Sequence, residues 1–291
     1  VNRPFFSHNS QVVEELYDKT QKWYTLFYSD RNSLALHYGF WDENTRTKRE
    51  ALLNQYREMA ALLEPGAGDV ILDAGCGVGG ASIWLAQETE AEFVGITLSS
   101  VQVNQAKKYA AARGVAKKAT FHAKNYFDTG FADASFDKAF AIESFCYSYP
   151  EPERFFSEMH RILKPGGRVA VSDAFLLREL KAEEEFQLAR NFCRGVKMNG
   201  WSTKEEIVEA LKKSGFTNLR YVDKTGEVAK SVRDVYRLGT LTLPFFYLLK
   251  PFGLTSRVET DHYLFACSQR DLYRQELVGY GLFSAEKTQR D

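Results

Sequence analysis

The stretch VILDAGCGVGG, residues 70–80, constrains this chain more than any other. Val70, Ile71 and Leu72 form a short apolar, partly β-branched run, the composition of a buried strand. Gly75, Gly77 and Gly79 follow at alternate positions, and ASIWLAQE (81–88) then reads as a helix. Glycines so placed let the backbone turn tightly and approach a ligand closely at the strand's carboxyl end. The chain therefore reads as a sheet protein with a ligand at the strand ends.

The pattern around that turn extends the reading. Strands are expected at 69–75, 92–97, 119–124, 136–143 and 166–175, with helices at 81–88, 100–114 and 151–163 between them. Strands that alternate with helices predict an α/β fold, a parallel sheet with helices on both faces. Before it, apolar residues at helical spacing predict helices over 10–28 and 46–63. After it come helices near 181–195 and 203–214, a strand over 215–225, and a final strand at 280–287. The stretch 230–279 reads as helix interrupted by Pro244 and Pro251, an insertion of a length that is usually functional. The expected units are an N-terminal helical cap (1–68), a cofactor-binding core (69–225 and 280–291) and a helical substrate lid (226–279).

Composition narrows the function. Lys plus Arg and Asp plus Glu both total 38, so the chain lacks the basic excess of a nucleic-acid binder. Cys76, Cys146, Cys193 and Cys267 are scattered, with no metal-ligand spacing and no disulfide framework, which suits a reducing compartment and no metal site. No run reaches the ~18 apolar residues of a membrane span. The sequence starts at Val1 rather than methionine, as a processed or trimmed chain does. The expected location is the cytoplasm, or an organelle after removal of a targeting peptide. Aromatic residues cluster at 23–41, 145–149 and 245–252, which fits either core packing or the wall of an apolar ligand pocket.

The glycine loop alone is ambiguous, because nucleotide dehydrogenases use a similar G-x-G-x-x-G. Read from Asp73, however, the D-x-G-x-G-x-G form resembles the class I S-adenosylmethionine-dependent methyltransferases. GITLSSVQ (95–102), FHAKNYFDTGFADASFD (121–137) and KPGGRVAVSD (164–173) extend the resemblance to the sterol C-methyltransferase, tocopherol methyltransferase and natural-product methyltransferase group. It implies a Rossmann-like seven-stranded sheet, parallel with one antiparallel strand, and S-adenosyl-L-methionine as cofactor, leaving as S-adenosyl-L-homocysteine. By the same resemblance Asp73, Gly75 and Gly77 cradle the cofactor's amino-acid part. Thr97, Leu98 and Gln102 take over the ribose contacts that an acid at this strand end makes in many relatives; Ser99 also reads as a helix cap. Asn125 stands where an Asp is common at the adenine edge, followed by Tyr126.

The same comparison assigns the acceptor side. HYGFWDE (37–43) is similar to the family's N-terminal loop, which implies that Tyr38 covers the cofactor and that His37 and Trp41 face the pocket. AIESFC (141–146) resembles the AIEATCHAP-type stretch of sterol C-methyltransferases, whereas tocopherol-type enzymes carry CESGEHMP. Cys146 and Tyr147 stand in place of that Glu-His pair, so a histidine base is missing here. The catalytic candidates are Glu143, Tyr147 and His37; Glu143 also reads as a cofactor or backbone clamp. Phe145, Tyr149, Trp201, Phe245 and Phe246 join Trp41 as candidate pocket residues. The stretch 238–254 suits a lid core, a substrate wall, a dimer surface or a patch for transient membrane contact.

The favoured reading is methylation of a small lipophilic molecule at a sterol or isoprenoid-like carbon. Aromatic faces would then stabilise positive charge and a carboxylate or tyrosine would accept the proton. Methylation of an oxygen or nitrogen of a phenolic, tocopherol-like or alkaloid acceptor, with His37, His160 or His262 as base, is the alternative. Cyclopropane synthesis and a non-catalytic cofactor-binding partner subunit remain further readings.

Overall fold

A computed structural model describes residues 4–23, 33–253, 255 and 257–289, without the side chains of residues 22, 23, 243, 246, 257–259, 262 and 263. The chain begins with α1 (Ser10–Trp23) and α2 (Lys48–Leu63). Then come β1 (Val70–Ala74), α3 (Gly80–Glu88), β2 (Glu92–Thr97), α4 (Ser100–Ala112), β3 (Ala119–Ala123), β4 (Phe136–Ile142), α5 (Pro152–Ile162) and β5 (Leu163–Leu176). The last part carries α6 (Glu183–Val196), α7 (Lys204–Lys213), β6 (Phe216–Asp223), α8 (Thr225–Leu249), α9 (Arg257–Arg274) and β7 (Val278–Lys287).

The seven strands form one sheet in the order β3-β2-β1-β4-β5-β7-β6. The first five are parallel; β7 runs antiparallel to both β5 and β6. Strand order reverses beside β1, so β2 and β4 leave on opposite sides and a crevice opens at the carboxyl ends of β1 and β4.

Alternation along the strands builds two cores. Ile71 faces a cluster with Leu52 and Met59 of α2 and Ile83 of α3. Its neighbour Leu72 faces the other side, among Phe155, Phe156 and Met159 of α5 and Ile207 of α7. Phe155 and Phe156 are wholly buried, each contributing roughly 1.5–3 kcal/mol relative to exposure. The sheet is thereby clamped from both faces, which fixes the strand ends as a rigid platform.

The first helix is described as far as Trp23, and residues 24–28 of its expected span lie outside the described residues. One feature differs from the sequence reading. Pro244 does not interrupt α8, which runs through it. A proline forfeits one helical hydrogen bond, and here packing of α8 along α9 keeps the helix continuous. Pro251 sits in the short 3-10 turn that ends the helix. Leu241, Leu248 and Phe252 are exposed, whereas Val235, Leu238 and Gly239 of α8 face inward to a cavity. Among the described residues no helix is long and apolar enough to cross a membrane.

Candidate active site

At the end of β1 the chain leaves the sheet through Gly75, with φ +100°, and Gly77, with φ +53°. A Cβ on Gly75 would run into the side chain of Ser144, whose Oγ donates to the Ala74 carbonyl at 2.5 Å. The N–H groups of Gly75 and Cys76 both donate to the Ile96 carbonyl at 2.9 Å. Gly75 therefore serves the close approach of Ser144 and Gly77 the left-handed turn, while the loop's own bonds hold its shape. Asp73, just before the loop, is buried and accepts a hydrogen bond from Ser82 Oγ at 2.6 Å.

These residues open onto a cavity of about 500 Å³. Asp73, Gly75 and Gly77 line it from the end of β1 and the turn after it; Thr97 and Leu98 from the end of β2 and Gln102 from the first turn of α4; Asn125 and Tyr126 from the loop after β3. Thr97 Oγ1 donates to Gln102 Oε1 at 2.9 Å, and Gln102 Nε2 donates to Gln21 of α1 at 3.0 Å. Asn125 Oδ1 accepts the Phe127 N–H at 2.9 Å and its Nδ2 donates to Ser10 at 3.1 Å, while the Tyr126 hydroxyl donates to the Ser144 carbonyl. Thus α1 forms a roof over the cavity, with Ser10, Val13 and Tyr17 in its wall. The segment before α1 is tied down at Asn199: its carbonyl accepts the Phe5 N–H at 2.8 Å and its Oδ1 the His8 N–H at 2.7 Å. The sequence reading treated this helix as a cap and missed its wall residues. Their only signal was a tyrosine and small polar residues on one face.

A second cavity, of about 130 Å³, lies beyond the ends of β4 and β5. Phe192 of α6, Trp201, Val235 of α8 and Phe265 of α9 supply apolar walls. The two cavities share Tyr17, Leu36, Glu143 and Tyr147 as lining residues. At that junction the Tyr17 and Tyr147 hydroxyls are 3.0 Å apart, and Tyr147 donates to the Val196 carbonyl at 2.9 Å.

Glu143 sits at the junction in left-handed backbone, φ +47°, a conformation that costs a non-glycine residue energy. Its Oε1 accepts the Tyr38 N–H at 2.7 Å and the Tyr280 hydroxyl at 3.0 Å. Burial pushes its acidity constant up to about 8, with the nearby Asp173 charge adding to the rise. Asp173, at the end of β5, accepts the N–H groups of Cys146 and Ala174, both at 2.8 Å. Burial raises Asp173 and Asp73 to about 7. Asp173 and Tyr280 escaped the sequence reading. A carboxylate at a strand's carboxyl end, in VAVSD, was the available signal for the first.

Other expected site residues fall elsewhere. Tyr38 lines the smaller cavity, not the larger one, because its hydroxyl is held by Gln269 of α9. His37 lines the larger cavity; its Nδ1 bonds the Tyr38 carbonyl at 2.6 Å and burial lowers its acidity constant to about 4, so it is neutral. Tyr149 also lines the larger cavity, and Trp201 the smaller. Trp41 lines neither: its indole N–H donates to Ser231 of α8 at 3.1 Å and Lys230 Nζ lies 3.3 Å above its ring. Phe145 is packed below the sheet, 5.2 and 5.0 Å from the rings of Phe155 and Phe156. Phe245 is half exposed on α8, and the Phe246 side chain lies outside the described residues. Among the described residues no cluster of His, Cys, Asp and Glu could hold a metal ion.

The raised acids make the ligand-free fold sensitive to alkali. A carboxyl with a folded acidity constant of about 8 against an ordinary 4.5 binds more protons folded than unfolded in that window. Stability then falls as pH rises through it, by up to about 1.4 kcal/mol per pH unit for each such group. Calorimetry should show the melting temperature falling between about pH 5 and pH 8, with a shallower fall in Glu143→Gln. Equal slopes in both proteins would refute the assignment.

Residues 71–167 match a family model described as a methyltransferase domain. The O-methyltransferase resE of Aspergillus sclerotiorum is 32% identical over 277 residues, covering 94% of this chain and 96% of that protein. The chain belongs to the S-adenosylmethionine-dependent methyltransferases. The 24-methylenesterol C-methyltransferase 2 of Oryza sativa subsp. japonica is 32% identical over 180 residues, 61% of this chain and 49% of that one. Among solved structures, the geranyl diphosphate C-methyltransferase from Streptomyces coelicolor A3(2) matches with a TM-score of 0.68 at 19% identity, over 94% of this chain and 98% of that one. That structure contains S-adenosyl-L-homocysteine and geranyl diphosphate. The methyltransferase's cofactor is S-adenosylmethionine, and the larger cavity fits it: about 500 Å³, walled by the glycine loop at the end of β1, with the polar side chains of Thr97 and Gln102 near the end of β2, where many relatives carry an acid.

Proposed function

We infer that this methyltransferase acts on a lipophilic small molecule, favoured as a sterol or isoprenoid-like acceptor methylated at carbon. The observation that carries this reading is the junction of the two cavities at Glu143 and Tyr147. The larger cavity takes the cofactor, with Asp73, Gly75 and Gly77 at its amino-acid part, Thr97, Leu98 and Gln102 at the ribose, and Asn125 and Tyr126 at the adenine. The smaller takes the acceptor, closed by α8 and α9 as a lid. When bound, S-adenosylmethionine supplies an electrophilic methyl group on a sulfonium.

The chain's residues then have three tasks. α1, α8 and α9 exclude water. The apolar walls hold the acceptor in line, the main requirement of a displacement with a good leaving group. The rings of Tyr17, Tyr147, Phe192 and Trp201 stabilise positive charge that develops on a methylated alkene. Glu143 takes the proton that the acceptor loses. Its two hydrogen bonds from Tyr38 and Tyr280 both fall on Oε1, so Oε2 is the atom assigned to the proton. Methylation of a hydroxyl is the second reading, favoured by the near full-length similarity to a protein named an O-methyltransferase.

The test incubates the enzyme with deuteromethyl-labelled S-adenosylmethionine and a panel of sterols, isoprenoid alkenes and phenols, followed by mass spectrometry. Carbon-bound label in an alkene product supports the favoured reading; label confined to ethers overturns it. Tyr147→Phe is expected to keep turnover within about fivefold, because its hydroxyl is occupied by Val196 and a lost hydrogen bond is worth about 1 kcal/mol. A steady-state loss of about a hundredfold or more would instead make Tyr147 the base.

A further inference from the structure

The smaller cavity has a charge pattern that lipophilicity alone does not require. Glu143 and Asp173 both reach it, and no described lysine, arginine or histidine lines it. Among the described residues neither carboxyl has an ion-pair partner. Their hydrogen bonds come from neutral donors: Tyr38 N–H and the Tyr280 hydroxyl for Glu143, Cys146 and Ala174 N–H for Asp173. The nearby bases of α6 and the loop after it are engaged elsewhere, Arg194 and Lys197 lying 3.8 and 3.5 Å from Asp261 of α9. Buried charges are normally compensated by hydrogen bonds and an opposite charge, and here the described residues supply the hydrogen bonds but no cation. An acceptor that carries a hydrogen-bond donor or a positive charge would add to that compensation, whereas a phosphate would bring like charge into a water-poor site.

We propose that Asp173 and Glu143 set the acceptor selectivity of this site: it takes lipophiles bearing a hydroxyl or a protonated amine and rejects phosphorylated ones. The proposal rests on the smaller cavity being the acceptor site. Asp173 is the selectivity residue proper, since it lies on the far side of the junction from the cofactor cavity and lines only the smaller one. Burial raises both acids, so at neutral pH the pair is partly protonated, and a bound ammonium draws those protons off.

The test measures binding to the full chain saturated with S-adenosyl-L-homocysteine, at about pH 8.5, where both carboxyls ionise. Four probes share one skeleton: citronellol, citronellylamine, citronellyl phosphate and the neutral citronellyl dimethyl phosphate. Titration calorimetry, with the Trp201 fluorescence in the cavity wall as a second readout, should rank the amine at or above the alcohol and the phosphate at least about thirtyfold weaker than the alcohol. The neutral ester separates size from charge, and should bind clearly better than the phosphate. Asp173→Asn should weaken the amine about tenfold while leaving the alcohol and S-adenosyl-L-homocysteine within about threefold. A phosphate that binds as well as the alcohol overturns the proposal from the unaltered protein alone. So does an ester as weak as the phosphate, or an amine indifferent to Asp173→Asn. If none of the probes binds, the acceptor assignment falls and this proposal with it. Failure to bind S-adenosyl-L-homocysteine would instead sink the functional reading, and is seen before any probe is added.

Discussion

Gly75→Ala is expected to weaken S-adenosyl-L-homocysteine binding by about a hundredfold or more in titration calorimetry, equivalent to roughly 3 kcal/mol. Two penalties combine. At φ +100° an L-residue is strained, which costs of order 1–3 kcal/mol. The new methyl group would also occupy the space of the Ser144 side chain, so Ser144 must move and release the Ala74 carbonyl. Ser144 follows Glu143 directly, so the displacement reaches the wall shared by both cavities. Gly114→Ala is the control, since Gly114 has φ +73° but open space around the added atom and lies outside both cavities. It should lower the melting temperature and leave the affinity alone. Ser144→Gly placed on Gly75→Ala should recover part of the binding, because it removes the clash and keeps the strain. Affinity within about tenfold of the parent would mean that the Ser144 displacement does not reach the ligand's wall.

The parts of this fold that were legible in the sequence are those set by short-range pattern. The glycine loop, the strands around it and the final strand follow from two-residue alternation and turn glycines, and all seven strands lie where that pattern puts them. Pro244 was misread because a proline's local penalty says nothing of the packing that keeps α8 continuous. The smaller cavity and its junction were less legible for a geometric reason. Phe145 and Tyr147 are two residues apart, which in a strand would place both on one face. Glu143 takes left-handed backbone and the chain enters a 3-10 turn over Phe145–Ser148. Phe145 therefore drops into the core beneath the sheet while Tyr147 stays at the cavities. Asp173 and Tyr280 reach the same spot from strands 30 and 137 positions from Glu143 along the chain, a convergence that no local pattern encodes. The residues of the larger cavity were easier to bring together because they sit near consecutive strand ends, which a parallel sheet aligns automatically.

Glu143→Gln is expected to lower kcat by about a hundredfold to a thousandfold while S-adenosyl-L-homocysteine affinity stays within about threefold. The amide retains an oxygen for the Tyr38 N–H and the Tyr280 hydroxyl, so the clamp persists and only the proton-accepting function is lost. The unaltered enzyme should also show activity rising with pH through about 8, where Glu143 gives up its proton, and the variant should lack that limb. Glu143→Ala behaves differently. It leaves the buried Tyr38 N–H and Tyr280 hydroxyl without this acceptor, each loss costing about 1–3 kcal/mol, and should lower the melting temperature as well as the rate. The pair of variants therefore separates the two roles of one carboxyl. A Gln variant that works within about fivefold, beside an Ala variant that loses both stability and rate, would make Glu143 a clamp alone. The proton would then have to leave through Asp173, the other described carboxyl in the smaller cavity, and Asp173→Asn would become the variant that removes the alkaline limb.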